Sequence, residues 1–236
     1  MSTTPNPTSP FQLSIKQGFL PYTAPLVGFL ICSSFESDLT DSLGYPVAYT
    51  LKIALVAVLL GACRSALPRW NRKGIGLAVL FGVVSCPVWI GLDWVQREMI
   101  PWEQLNFLSS EREGFSVDLS AGTPETLGFL LVRMTGLVIL VPLIEEIFWR
   151  GFLARFLIDE NFEEVRPGKV TLSSYLITTL AFAAVHPEIL AALVWGAAIH
   201  LLWVRTQNLW ACIIGHAVTN AALGGYILAT GSWHLW

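Results

Sequence analysis

The sequence is poor in charged residues and has no polar segment long enough to form a soluble domain. Only 13% of its 236 residues are charged and 54% are hydrophobic, whereas ordinary soluble domains are about 25% charged and about 45–50% apolar. Apolar stretches recur along nearly the whole chain and leave no large polar block between them. The composition therefore predicts one integral membrane domain.

Basic runs and cysteine pairs are lacking as well. The net charge is −3 and the Lys and Arg residues form no long run, which argues against a nucleic-acid partner. The cysteines stand singly in apolar stretches, without a CxxC pair or a Cys/His cluster, so the sequence predicts neither a disulfide framework nor a zinc finger. They are Cys32, Cys63, Cys86 and Cys212.

The first 17 residues are polar and contain several prolines. They lack the basic region and the small-residue cleavage site of a secretory signal peptide. We therefore expect residues 1–17 to be a polar N-terminal tail and residues 18–236 to be a single integral membrane domain.

Seven apolar stretches approach the length of about 20 residues that a helix needs to cross the ~30 Å hydrocarbon layer. They lack the period-2 alternation of barrel strands, and only helices and closed barrels can span a bilayer. The sequence thus predicts an all-α fold, a polytopic transmembrane bundle of about 7–8 helices with a polar intramembrane cavity. The stretches are roughly 19–35, 47–66, 74–94, 127–157, 170–186, 188–204 and 209–230.

The orientation in the membrane follows from one basic loop. Arg64, Arg69, Arg72 and Lys73 gather between the second and third stretches, and the positive-inside rule assigns such a loop to the cytoplasm. Seven crossings then give an inside N-terminus, an outside C-terminus and an outside loop at 95–126. We expect a protein of the bacterial inner (plasma) membrane with its N-terminus inside.

The stretch LIEEIFWRGF, residues 143–152, contains three charges in an apolar context. A charge at the centre of a spanning helix costs about 2.5–3.5 kcal/mol on insertion scales, so such residues are functional hypotheses by default. On a helix Glu146 and Arg150 are i,i+4 neighbours that can pair, while Glu145 points about 100° away. One carboxylate is then free. An ion-pair patch at the end of a long helix explains the same residues without catalysis.

Two histidine motifs follow on later apolar stretches. Phe182 and His186 stand four residues apart in FAAVHP, where Pro187 comes next, and His216 and Asn220 stand four apart in HAVTN. A satisfied helix-end histidine and hydrogen bonds between helices explain these residues in structural terms. Together with the glutamates they supply what amide hydrolysis requires, namely a carboxylate base, imidazoles that shuttle protons and an amide that stabilises an oxyanion.

Other interpretations stay open. Two histidines and a glutamate are suitable ligands for a catalytic zinc with an open water position, although the HExxH spacing is absent. The same polar groups suit a transporter or a non-catalytic binding or immunity scaffold, but the sequence lacks the internal repeat that transporters often have. Serine catalysis is disfavoured because the three motifs contain no serine and no GxSxG elbow occurs.

The three motifs, in this order, resemble the signature of the CAAX protease and bacteriocin-processing (CPBP) family of intramembrane glutamic endopeptidases. This family includes the type II CAAX prenyl proteases. The resemblance covers about residues 127–225 and marks them as the catalytic core. It implies that Glu145 and His186 activate a water molecule while His216 and Asn220 hold the oxyanion.

The resemblance also assigns supporting residues and partners. Arg150 would pair with Glu146 and set the helix geometry, and Phe182 belongs to the first histidine motif. The implied substrate is a membrane-associated protein or peptide in the lipid bilayer. The implied mechanism needs no cofactor, with zinc as the alternative because the family has also been described as metal-dependent. These residues select neither a prenyl requirement nor an oligomeric state.

The depth of His186 conflicts with a simple seven-span arrangement. Glu145 and His216 would lie in the inner half, whereas His186 would lie on the order of 15–25 Å away, at 1.5 Å per residue. Because Pro187 disrupts a continuing helix, we expect a break there. Residues 175–204 would then form a bent or re-entrant unit, which the membrane tolerates where backbone lines a water-filled cavity.

Overall fold

The computed structural model describes residues 18–99 and 122–235, and these residues form eight helices and no strand. The predicted all-α fold is confirmed. The predicted tail 1–17 and most of the predicted loop 95–126 lie outside the described residues. The helices are α1 Leu20–Ser34, α2 Glu36–Leu43, α3 Tyr45–Ala62, α4 Ile75–Met99, α5 Pro124–Phe156, α6 Leu172–Ala184, α7 Ile189–Thr206 and α8 Leu209–Thr230.

Five of these helices, α3, α4, α5, α7 and α8, are long and apolar enough to cross a membrane. Helices α1 and α6, which correspond to the predicted spans 19–35 and 170–186, have only 15 and 13 residues. A helix of that second length reaches about 20 Å, less than the ~30 Å hydrocarbon layer. Among residues 18–99 and 122–235, five of the seven predicted stretches thus form helices of spanning length. The inside position of the N-terminus stays a prediction.

Large apolar side chains cover the outer surface of the bundle. On α4, for example, the side chains of Leu80, Val83 and Val84 are exposed. A soluble monomer rarely exposes a contiguous apolar patch of this kind, whereas a bilayer accommodates one. The apolar surface and the five candidate spans identify the chain as an integral membrane protein.

Helices α4 and α8 pack closely along each other. A Cβ atom added to Gly82 would lie 2.6 Å from the Cβ of Val218 and 2.7 Å from the carbonyl oxygen of Gly215. A Cβ atom on Gly215 would lie 3.1 Å from the ring of Phe81. Small residues let membrane helices approach in this way. The crossing holds His216, the next residue of α8, in the interior of the bundle.

Helices α6 and α7 form an antiparallel pair around a short break. Tyr175 near the start of α6 contacts His200 near the end of α7, and Phe182 near the end of α6 contacts Trp195 near the start of α7. The residues 185–188 between the helices are not helical. The break expected at Pro187 is present, and it places His186 in the turn of a helical hairpin.

Candidate active site

Helix α5 changes its helical register on both sides of the two glutamates. The segments Gly136–Leu140 and Ile147–Leu153 are π-helical, and Val141–Glu146 between them is α-helical. π-Helical segments are rare and often occur at functional sites. Glu145 and Glu146 end the α-helical segment, so they lie at the boundary with a wider turn.

Glu146 is completely buried and accepts two hydrogen bonds on Oε1. Arg150 donates from Nη1 over 3.0 Å, and His216 donates from Nδ1 over 2.9 Å. Arg150, also completely buried, donates from Nη2 to the carbonyl oxygen of Gly196 over 3.2 Å. The ion pair that the i,i+4 spacing predicted is thus present. Its hydrogen bonds join α5 to α7 and α8.

Glu145 differs from its neighbour because its carboxylate has no partner. The side chain is 6% exposed, its Oε2 atom is buried, and within residues 18–99 and 122–235 no hydrogen bond or ion pair reaches it. A buried carboxylate without a partner is costly in an apolar environment. This carboxylate is therefore available to a water molecule or to a substrate group.

The tautomer of His186 follows from its hydrogen bond. Its Nδ1 atom lies 2.7 Å from the carbonyl oxygen of Phe182. A carbonyl oxygen only accepts, so Nδ1 carries the proton and the neutral ring leaves Nε2 as an acceptor. The two rings are 4.3 Å apart between centroids. The turn of the hairpin thus fixes which nitrogen of His186 can accept a proton.

The same reasoning applies to His216, whose Nδ1 faces the carboxylate of Glu146. The carboxylate accepts, so Nδ1 carries a proton and Nε2 is the atom left for chemistry. Nε2 accepts a hydrogen bond when the ring is neutral and donates one when the ring is an imidazolium.

Asn220 donates from Nδ2 to the carbonyl oxygen of Leu137 over 2.9 Å. That oxygen lacks a helical donor for two reasons. The N–H of Val141 bonds to Gly136 in the π-helical register, and Pro142, the next candidate, has no N–H group. Asn220 replaces the missing donor with one amide hydrogen. Its second amide hydrogen and its oxygen remain for other partners.

An aromatic cluster, defined by Trp89, Phe182 and Trp195, connects the two histidines. The ring of His186 lies 5.9 Å from Trp89 and 4.3 Å from Phe182, and that of His216 lies 4.5 Å from Trp195. Phe182 stacks on Trp195 at 5.3 Å. The structure therefore brings both histidines to one cluster, whereas no hydrogen bond between described residues joins His186 to Glu145.

Sequence reasoning missed Trp195 and His200, which also belong to this region. Trp195 lies between Phe182 and His216, yet a tryptophan in an apolar helix carries no functional signal in the sequence. His200 is completely buried, and neither ring nitrogen has a hydrogen-bond partner among the described residues. For His200 the sequence did contain a signal, because an ionisable residue inside a spanning helix is a functional hypothesis by itself.

A comparison with family models matches residues 127–222 to the Rce1-like family, described as type II CAAX prenyl endopeptidase Rce1-like. These residues are an Rce1-like domain. The match confirms the resemblance to the CAAX protease family, and this domain indicates an endopeptidase. No curated protein and no solved structure gives a significant match to the chain.

The Rce1-like domain contains every predicted catalytic residue. It begins within α5 and ends within α8, so helices α1 to α4 lie outside it. Nevertheless, α4 contributes Trp89 to the aromatic cluster beside His186. The candidate site therefore combines the Rce1-like domain with a helix from the part of the chain that the family match does not cover. The predicted catalytic residues are Glu145, His186, His216 and Asn220.

The side chains of the Rce1-like domain do not gather as a three-ligand metal site. In the part of the chain that the structure describes, no three His, Cys, Asp or Glu side chains lie close enough to hold one ion. A catalytic zinc site typically uses three protein ligands. His216 and Glu146 bond to each other, and His186 bonds to a backbone carbonyl. The arrangement does not fit the predicted zinc alternative.

Proposed function

We propose that the chain is an intramembrane endopeptidase that hydrolyses a peptide bond of a membrane-associated protein or peptide. Water is the nucleophile, and Glu145 and His186 activate it. One observation carries the proposal: Glu146 is paired with Arg150 and His216, while the neighbouring Glu145 has no partner among the described residues. Two adjacent carboxylates in different environments are suited to two different roles.

In the proposed reaction, Glu145 accepts a proton from water as the water oxygen attacks the substrate carbonyl. Nε2 of His186 accepts a hydrogen bond from the same water, because its Nδ1 proton is held by a backbone carbonyl. The proton is then passed to the leaving amine as the C–N bond breaks. Since no hydrogen bond joins Glu145 to His186 directly, the water bridges them. Such hydrogen bonds often tighten only when substrate is bound.

The oxyanion of the tetrahedral intermediate is held by His216 and Asn220. In this proposal His216 donates from Nε2 as an imidazolium, while its Nδ1 proton is bonded to the carboxylate of Glu146. Asn220 donates its second amide hydrogen, because the first is bonded to Leu137. In this proposal Glu146 and Arg150 position the oxyanion donors and do not contact the reacting atoms.

The decisive experiment replaces Glu145 by Gln in the full chain. New protein C-termini are compared in membranes that contain the wild type, E145Q or E125Q, where Glu125 is an exposed glutamate of the first turn of α5. We expect E125Q to cleave as the wild type does and E145Q to lose cleavage while still inserting. Full cleavage by E145Q would contradict the mechanism. A biological phenotype retained by both E145Q and H186A would favour a non-catalytic scaffold.

Substrate class and metal dependence have separate tests. The description of the matched family suggests a farnesylated peptide that ends in a CAAX sequence as a first substrate. The same peptide without the lipid is its control, and equal cleavage of both peptides would show that no prenyl group is required.

Exhaustive chelation is expected to leave the activity unchanged. Loss of activity that zinc alone restores would instead favour the metallopeptidase.

A further inference from the structure

The turn that carries His186 needs a hydrogen-bond partner from another part of the fold. Pro187 has no N–H group, and the first N–H groups of any helix have no partner within that helix. Glu188, the N-cap residue of α7, makes no side-chain capping bond. The start of α7 is therefore not capped by its own turn.

Gln96 of α4 supplies this partner. Its Oε1 accepts the N–H of Leu190 over 2.9 Å, and its Nε2 donates to the carbonyl oxygen of Pro187 over 2.9 Å. The Gln96 side chain is buried, with 8% exposure, so water does not readily replace either bond. One amide group thus connects the turn to the first turn of α7.

The same face of α4 also contacts the imidazole ring. Trp89 lies seven residues before Gln96, which is about two helical turns, so both side chains lie on one face. The ring of Trp89 is 5.9 Å from that of His186. On the other side of the turn, the carbonyl of Phe182 holds Nδ1 of His186. His186 therefore has an anchor before it in the chain and another directly after it.

We propose that Gln96 is a positioning residue for His186. It fixes the carbonyl of Pro187, the residue after His186, and so directs Nε2 of His186 towards the water of the proposed reaction. The inference rests on the proposed function and adds a residue that lies outside the Rce1-like domain. The position requires a side chain that accepts and donates at once. A carboxylate has no proton for the Pro187 carbonyl, and a methionine of similar length makes neither bond.

A matched control exists at the start of α8. Asn208 is buried, accepts the N–H of Trp210 over 3.2 Å and donates to the carbonyl oxygens of Asn71 and Lys73 over 2.9 and 2.7 Å. Like Gln96, its side-chain amide thus both accepts and donates hydrogen bonds at the start of a helix. It lies eight residues before His216, about 12 Å along the helix. Asn208→Leu removes a comparable buried amide that does not adjoin either histidine.

The test measures kcat and KM for the full chain with a quenched fluorescent peptide that spans a cleavage site found in the membrane comparison. Displacing a catalytic group by about 1 Å can cost about 100-fold in rate. We expect Q96M and Q96E to lower kcat by up to about 100-fold with KM unchanged, and N208L to leave kcat unchanged. If Q96M does not insert into the membrane, the kcat of Q96E decides the test, because glutamate keeps the size of the side chain. If the inserted Gln96 variants had the same kcat as N208L, the inference would be overturned.

A second measurement reports on His186 without any substrate. The chain has four histidines, so the ¹⁵N signals of His186 can be assigned by comparison with H186A. The wild type should show the tautomer protonated at Nδ1, and Q96E should show a mixture of tautomers, whereas N208L should match the wild type. An unchanged His186 signal in Q96E would count against positioning. If H186A cleaves normally, the proposed function itself fails, whereas an inactive H186A beside a fully active Q96E removes only the role of Gln96.

Discussion

Glu146 and His216 are 70 residues apart in the sequence and are joined by a hydrogen bond of 2.9 Å between Oε1 and Nδ1. The same oxygen also accepts from Arg150. The carboxylate thus has two cationic or polar partners from two helices and is shielded from solvent. The carboxylate of its neighbour Glu145 has no hydrogen-bond or ion-pair partner among the described residues. This difference suits the two glutamates to separate roles.

Replacement of Glu146 by Gln is predicted to destabilise the fold strongly. The guanidinium of Arg150 would keep its buried position but lose its counter-charge. Breaking a buried pair by removing one partner typically costs about 3–5 kcal/mol. The free energy of unfolding, measured by denaturant titration in mixed micelles, should therefore fall by that amount. E145Q should not lower it, because the Glu145 carboxylate has no ion pair among the described residues to lose and is itself costly to bury.

The double replacement E146L/R150M separates charge from packing. Exchanging a buried ion pair for apolar residues of similar volume is often neutral or stabilising. The double variant should therefore regain most of the stability that E146Q loses. It should nevertheless remain inactive, because His216 would lose the carboxylate that bonds to its Nδ1 atom and orients its ring. If the double variant were as unstable as E146Q, the unpaired charge of Arg150 would not be the cause of the instability of E146Q.

Asn220 is predicted to contribute to both stability and catalysis, and a second residue separates the two. N220A leaves the partly buried carbonyl of Leu137 without a donor, which costs up to about 1–3 kcal/mol. P142A adds an N–H group at the position where the π-helical register would bond to Leu137. In the double variant P142A/N220A, that N–H should restore stability. Unfolding titrations of the four proteins give the coupling between the two positions.

Cleavage by the same four proteins tests the catalytic role of Asn220. If the amide holds the oxyanion, N220A and P142A/N220A should be equally impaired, although only the second is stable. Removing one oxyanion donor typically lowers kcat by about 100- to 1,000-fold. Recovery of activity together with stability in P142A/N220A would reduce Asn220 to a structural role.

The local part of this site was predictable because it depends only on helical periodicity. The spacing of Glu146 and Arg150 places them on neighbouring turns, and their pair forms as expected. The change of register in α5 was not predictable in the same way. Apolar composition does not distinguish α-helical from π-helical turns, and the consequence, a free carbonyl at Leu137, depends on Asn220 from a distant helix.

Among the described residues, five helices are long and apolar enough to span a membrane, whereas the sequence predicted seven such stretches. The stretch 170–186 was predicted as a span, but its helix α6 runs only from Leu172 to Ala184 before the chain turns back along α7. Pro187 gave the only local sign of this break. The hydrogen bonds that hold the turn come from Gln96, a residue without any distinguishing motif. Contacts between distant helices therefore define the part of the site that the sequence could not reveal.

The α4/α8 crossing yields a further prediction. A Cβ atom on Gly82 would come within 2.6 Å of Val218 and 2.7 Å of the Gly215 carbonyl, so G82A must separate the helices beside His216. Such overpacking typically costs about 1–3 kcal/mol. On the same helix, Gly91 has no atom within 4 Å of an added Cβ, so G91A should be neutral or stabilise by about 0.5–1 kcal/mol through better helix propensity.

Unfolding and cleavage measured on G82A and G91A test this arrangement. Since the crossing fixes His216 relative to Glu146, G82A should lose activity as well as stability. The hydrogen bond of 2.9 Å between those residues leaves little room for a helix displacement. G91A should keep full activity. If G82A were as stable and active as G91A, the close approach of α4 and α8 would not be what holds His216 beside Glu146.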